Sequence, residues 1–351
     1  MKDRSLSVCI ALTAGLALAL LVLLAGTAIA GPAPPGATSS GAQANSATYW
    51  SSPWVVIPTD TVRVFNHNLG GDPDDYAVEV WFLDPDGGLG INRRNYGGLQ
   101  VSSAWAGAHW QNLTANTIEV YRQPDDDVAD RVRVRVWIPI PAREHFESEW
   151  MDIAQGETIT ITHNLGITAT ELTVGLWFSG TARGIHHYGY GGLTVDARPP
   201  ERRGAFWHSL TDTTLKVVRF PQDSDVEQVH AVVVHADPPH YDSLVAQGGW
   251  QDIVAGTTFT FPHGLQWNPN LLLVRAECYS PPLQGVGGIH QLFSGGNYDP
   301  VFGWQGTDLR NLRPNSVAVA RRSDDGLCPR VRVRIWQRSV RVYLPLMLRG
   351  L

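Results

Sequence analysis

Internal repetition constrains this chain more than any other feature of its sequence. A Trp, a His thirteen residues later and a Leu two beyond it recur as Trp54, His67 and Leu69, as Trp150, His163 and Leu165, and as Trp250, His263 and Leu265. The Trp-to-Trp separations are 96 and 100 residues. A second block, G-I-[NH]-x4-G-G, keeps the same register: Gly90-Ile91-Asn92 with Gly97-Gly98, Gly184-Ile185-His186 with Gly191-Gly192, and Gly288-Ile289-His290 with Gly295-Gly296. A third runs from a Leu to an Arg nine residues on, at Leu113 to Arg122, Leu210 to Arg219 and Leu312 to Arg321, preceded each time by a Trp, as Trp110, Trp207 and Trp304. One supersecondary unit is therefore used three times.

Each copy alternates apolar and polar residues at period two, as in Ile118-Glu119-Val120, and Gly, Pro, Asn and Asp punctuate these runs. That is the signature of half-buried strands joined by tight turns. About seven such runs in about 95 residues predict an all-β chain of three tandem antiparallel β-sandwich modules. A propeller is disfavoured, since its blades repeat at ~40–50 residues. The modules are placed at residues 49–140, 145–238 and 245–338, with Pro-rich joints Ile138-Pro139-Ile140-Pro141 and Asp237-Pro238-Pro239 between them.

The ends differ in kind. Lys2 and Arg4 precede an apolar run from Val8 to Ala25, and Ala28-Ile29-Ala30 sets small residues before Gly31. Residues 1–30 accordingly predict a signal peptide and a secreted or cell-surface protein, with an uncleaved anchor as the alternative. Residues 31–48 hold no large apolar side chain and predict a flexible tether. Residues 339–351 form a short apolar tail interrupted by Pro345. Without residues 1–30 the chain carries 25 basic against 32 acidic side chains, a balance that disfavours general nucleic-acid binding. In an oxidising compartment the two remaining cysteines, Cys278 and Cys328, predict a disulfide. Closing about 50 residues in this way stabilises by about 4 kcal/mol in the chain-entropy account.

No G-x-S-x-G elbow, H-E-x-x-H pair, phosphate loop or clustered cysteine ligands occur, so the expectation is a protein that is not an enzyme and uses no cofactor or metal. The candidate ligand-binding set is the G-I-[NH] loops: Asn92, His186 and His290 as hydrogen-bonding groups, with Tyr96, Tyr188 and Tyr190 as flat amphipathic surfaces. Acidic loops at Asp125 to Asp127, Asp223 with Asp225, and Asp324 with Asp325 have calcium-type donors, but Asp also favours turns. The arginine rows Arg131-Arg133-Arg135 and Arg330-Arg332-Arg334 are read either as a seat for an anionic polymer or as protection of an edge strand. The three repeated histidines at turns are read as bonding the turn backbone.

The His-Asn-Leu-Gly turns at residues 67–70 and 163–166, with the V-x-V strand Val78-Glu79-Val80 after the first, resemble the small β-sandwich modules of phage tail-fibre tips and H-type lectins. The resemblance implies recognition of surface glycans. The expected function is a multivalent adhesion protein that binds a glycan or surface polymer. The alternative is a structural surface protein whose modules associate with one another or with other proteins. Amino-terminal sequencing of the exported protein is expected to begin at or near Gly31; an intact Met1 in the membrane fraction would establish the anchor.

Overall fold

The computed structural model describes residues 48–138, 144–195, 200–235, 237–283 and 286–337; the expected signal peptide, nearly all of the tether and the apolar tail lie outside them. Repeat 1 comprises β1 (Tyr49–Ser51), β2 (Val55–Val56), β3 (Thr61–Asn66), β4 (Ala77–Asp84), β5 (Gly90–Asn92), β6 (Leu99–Val101), β7 (Ala104–Ala106), β8 (Ala108–Gln111), β9 (Thr117–Arg122) and β10 (Arg131–Trp137). They form a five-stranded sheet in the order β1-β10-β4-β5 with β2 also on β10, a three-stranded sheet β3-β9-β8, and the small ribbon β6-β7. Repeats 2 and 3 reproduce this set strand for strand.

The alternation explains the core. Val80, Phe82, Val132, Val134 and Val136 on the larger sheet are buried with Phe65, Trp110, Ile118 and Val120 on the smaller. The same cluster continues into repeat 2 through Leu176, Phe178, Tyr190 and Trp207. The core of repeat 3 likewise takes in Trp54, Trp81 and Ile91 of repeat 1.

The copies are therefore not tandem sandwiches. The six larger sheets, two per repeat, form a six-bladed β-propeller of three two-blade repeats. The period misleads because each repeat of 96 or 100 residues holds two sheets. Half of it falls within the ~40–50 residues of a blade.

Backbone hydrogen bonds close the ring. Asn112 N–H and Leu113 N–H donate to the carbonyls of Arg183 (2.9 Å) and Ile185 (3.2 Å), and His187 N–H donates to Trp110 (3.1 Å). Between repeats 2 and 3, Ser209 donates to Gly287 (3.2 Å) and Gln291 to Trp207 (3.3 Å). Between repeats 3 and 1, Asn311 donates to Leu89 (2.8 Å), Leu312 to Ile91 (3.1 Å) and Arg93 to Leu309 (2.9 Å). The β5 and β8 edges of each copy are thus completed by its neighbours.

The last Arg of the third block anchors each copy. Arg122 Nε donates to Asp126 Oδ2 (2.8 Å), Arg219 Nε to Asp223 Oδ2 (3.0 Å) and Arg321 Nε to Asp325 Oδ2 (2.8 Å). A second guanidinium nitrogen reaches the carbonyl of Ile57, Ile153 or Ile253. The carboxylates also accept from the backbone of Gly107, Gly204 and Gly306. The acidic loops are therefore occupied by arginine, and no cluster that could hold a metal occurs among the described residues.

Cys278 and Cys328 are joined by a disulfide spanning 50 positions. Register places Cys278 opposite Val331, where Phe82 and Phe178 stand opposite Val132 and Val229. Register also corrects one equivalence: Leu309 faces Val319 as Trp110 faces Val120 and Trp207 faces Val217, so Trp304 is not the third core indole.

Replacing Asp223 by Ala leaves the buried Arg219 guanidinium without its carboxylate and is expected to cost about 3–5 kcal/mol. A lowered denaturant midpoint at unchanged slope is the measurement.

Candidate functional site

The G-I-[NH] loops do not face solvent; they meet at the centre of the ring. Gly189 N–H donates to Gly97 O (3.0 Å), Phe293 N–H to Gly191 O (2.7 Å) and Asn95 N–H to Gly295 O (2.7 Å), a cyclic set joining all three repeats. At Gly97 (φ 88°) a Cβ would lie 3.1 Å from the backbone of Tyr190, and at Gly295 (φ 101°) 2.9 Å from that of Tyr96. Both the positive φ and the passing strand require glycine.

Asn92, His186 and His290 are fully buried, which corrects the expectation of an exposed set. Each holds its own turn. Asn92 Oδ1 accepts from Arg94 N–H (3.0 Å), His186 Nδ1 from Tyr188 N–H (3.1 Å) and His290 Nδ1 from Leu292 N–H (3.3 Å). The imidazole Nε2 atoms meet the carbonyls of Asp225 (3.1 Å) and Leu327 (2.9 Å). Burial lowers both imidazoles to about 4, so they are neutral in the fold. Tyr96, Tyr188 and Tyr190 are buried as well. Tyr96 O–H lies 2.9 Å from His187 Nδ1 and accepts from Trp110 Nε1 (3.0 Å). The turn histidines accept from Leu69, Leu165 and Leu265 N–H at 3.3, 3.4 and 3.3 Å.

The arginine rows are also internal at their far ends. Their strands are flanked on both sides, so they are not edges. Arg135 pairs with Glu79 (2.7 Å) and donates to Leu272 O of repeat 3 (2.9 Å). Arg334 pairs with Glu277 and donates to Leu172 O of repeat 2 (2.8 Å). Repeat 2 has Gly175 opposite Val232 at the place of Glu79 opposite Arg135. A Cβ at Gly175 would fall 2.4 Å from the Trp177 ring, which occupies that space.

The three inter-repeat seams, equivalent in backbone, differ in side chains. Between repeats 1 and 2, His109 packs on Tyr188 at 4.7 Å and the Arg183 guanidinium lies 4.0 Å over the same ring. Between repeats 2 and 3, Phe206, Leu292 and Phe293 form an apolar cluster with Phe220. Between repeats 3 and 1 the matching places hold Asp308, Arg94 and Arg322, and an open cleft of about 280 Å³ remains. Its lining includes Arg94, Trp304, Arg310 and Arg322, with hydroxyls from Thr257, Thr258 and Ser323. Arg310 and Arg322 share Asp308, the latter at 3.3 Å, while Arg94 has no carboxylate within 4.0 Å among the described residues. Arg322 stacks 5.2 Å over the half-buried Trp304 and donates to Asn95 Oδ1 (3.1 Å). Burial lowers Arg322 to about 10, so it stays cationic at neutral pH. Sequence reasoning missed this cleft because its members lie about 200 residues apart and repeat nowhere else in the chain. The signal in the sequence was the variable middle of the repeated block, where Arg94 stands at the place of Tyr188 and Leu292.

Compared with known protein families, with curated proteins and with solved structures, the chain matches none.

The neutral buried imidazoles set a pH dependence. An unfolded His titrates near ~6.5, so below that pH the unfolded chain binds protons that His186 and His290 refuse until about 4. Stability is therefore expected to be full above ~6.5 and to fall as pH drops toward 4, read as the thermal midpoint. His186→Asn, which supplies the acceptor that Asn92 uses in repeat 1, is expected to flatten that slope.

Proposed function

We propose that the protein is an exported binding protein that takes an acidic glycan, carboxylated or sulfated, in the cleft between repeats 3 and 1. The observation that carries this is the surplus of guanidinium there: Arg94, Arg310, Arg321 and Arg322 line the cleft against the paired carboxylates of Asp308 and Asp325, beside the half-buried Trp304. A guanidinium engages a carboxylate or sulfate through paired N–H donors, and an indole offers a face to a sugar ring. About 280 Å³ suits one sugar unit of a polymer. The nearby carboxylates are held by arginine and the lining has no imidazole, which favours retention over turnover.

Export rests on residues 1–30, outside the described residues. No helix among the described residues is long and apolar enough to cross a membrane. The closed ring alters the multivalent reading: the three seams are chemically different, so this site occurs once among the described residues. The structural alternative is supported by Val62 and Val64, exposed on β3 at the rim of its sheet.

The test is retention of the full-length exported protein on immobilised polygalacturonate or a sulfated polysaccharide, beside a neutral glucan. Retention is expected on the acidic polymers only and to weaken with salt. Arg94→Gln with Trp304→Ala is expected to lower apparent affinity at least ~10-fold, the loss of about 1.4 kcal/mol, with little change in thermal midpoint. Equal retention on the neutral glucan sinks the acidic preference. No retention together with ordered self-assembly that Val64→Lys abolishes establishes the structural role.

A further inference from the structure

The centre of the ring breaks its own symmetry. In the seam between repeats 1 and 2, His187 meets the Tyr96 hydroxyl and, through it, the Trp110 indole. In the next seam Gln291 Oε1 meets the Tyr190 hydroxyl and accepts from Trp207 Nε1 (3.1 Å). In the third, Arg93 occupies the place of His187 and Gln291, while Ser294 and Leu309 stand where tyrosine and tryptophan stand in the other two. The smaller pair leaves a cavity of about 50 Å³ lined by Arg93, Arg275, Ser294 and Leu309 among others.

The charges around this cavity do not balance. Glu79 pairs with both Arg93 (2.8 Å) and Arg135 (2.7 Å). Arg275, which stands where repeat 1 has Glu79, has no carboxylate within 4.0 Å among the described residues, yet its charge acts on Glu79, Arg93 and Tyr96. Asp308, the acidic group on the cavity wall, is taken by Arg310 and Arg322. Arg93 Nε is buried without a hydrogen-bond partner. Arg93 and Arg275 thus face a partly open cavity whose acidic lining group, Asp308, is already paired with other arginines, an arrangement that an anion would compensate.

We propose that this cavity between Arg93 and Arg275 is a binding site for a small inorganic anion of chloride size, which neutralises the surplus charge and locks the seam between repeats 3 and 1. The volume admits a monoatomic ion or a few waters and is too small for a sugar. The site is separate from the surface cleft and does not rest on the glycan reading.

The test is thermal unfolding of the full-length exported protein in sodium chloride and in sodium gluconate at equal ionic strength, with a bromide-soaked crystal to locate the ion. The midpoint is expected to be several degrees higher in chloride, with an anomalous bromide peak in the cavity. Arg275→Gln is expected to abolish the chloride shift. Arg275→Glu, which supplies a carboxylate as Glu79 does in repeat 1, is expected to fold and to be indifferent to chloride. Equal midpoints in the two salts, a shift that survives Arg275→Gln, or a cavity holding only water each overturn the proposal.

Discussion

The structure depends on pairing β-strand edges between copies. A lone repeat would leave β5 and β8 with open rows of N–H and C=O groups, and the outer face of its larger sheet would expose Trp81, Glu79 and Arg135. Each edge instead finds its partner in the adjacent repeat, and the third repeat returns to the first through Asn311, Leu312 and Arg93. Ring closure removes these edges without blocking residues. It also makes the three copies one cooperative object, with apolar clusters that cross the repeat boundaries.

Closure also explains why so many residues that look chemically active are structural. An imidazole, a carboxylate or a guanidinium buried at a seam must be fully hydrogen-bonded, and tight turns and strand ends supply carbonyls and N–H groups at short range. Asp126, Asp223 and Asp325 show the pattern most fully, each accepting from one guanidinium and from backbone N–H groups on both sides. A residue type that recurs at one position in all three copies marks, in this protein, a load shared by the backbone.

Function is therefore sought where the copies differ. Behind one backbone arrangement, the seams carry His109 with Tyr188, Phe206 with Leu292, and Asp308 with Arg94. The first two are filled by rings and aliphatic groups, while the third opens into a basic cleft and, toward the axis, a charged cavity. Once two seams and the Arg–Asp anchors secure the ring, the third can give up packing for polar space.

Much was legible in the sequence alone: the threefold repeat, the all-β class, the strand periodicity and the turn role of His67, His163 and His263 follow from local spacing, because side-chain alternation and turn chemistry are short-range properties. The pairing of Cys278 with Cys328 followed from aligning the copies. What the sequence left open was which edges pair and which faces are hidden. Whether the loops that carry Asn92, His186 and His290 face solvent or one another depends on their backbone contacts with the neighbouring repeat, about 90 positions away or more. A two-sheet repeat also has the same period whether its sheets close on themselves or on their neighbours. Only the tertiary structure decided that they close on their neighbours, because burying the polar faces and satisfying the open strand edges is possible only when all three repeats are present together.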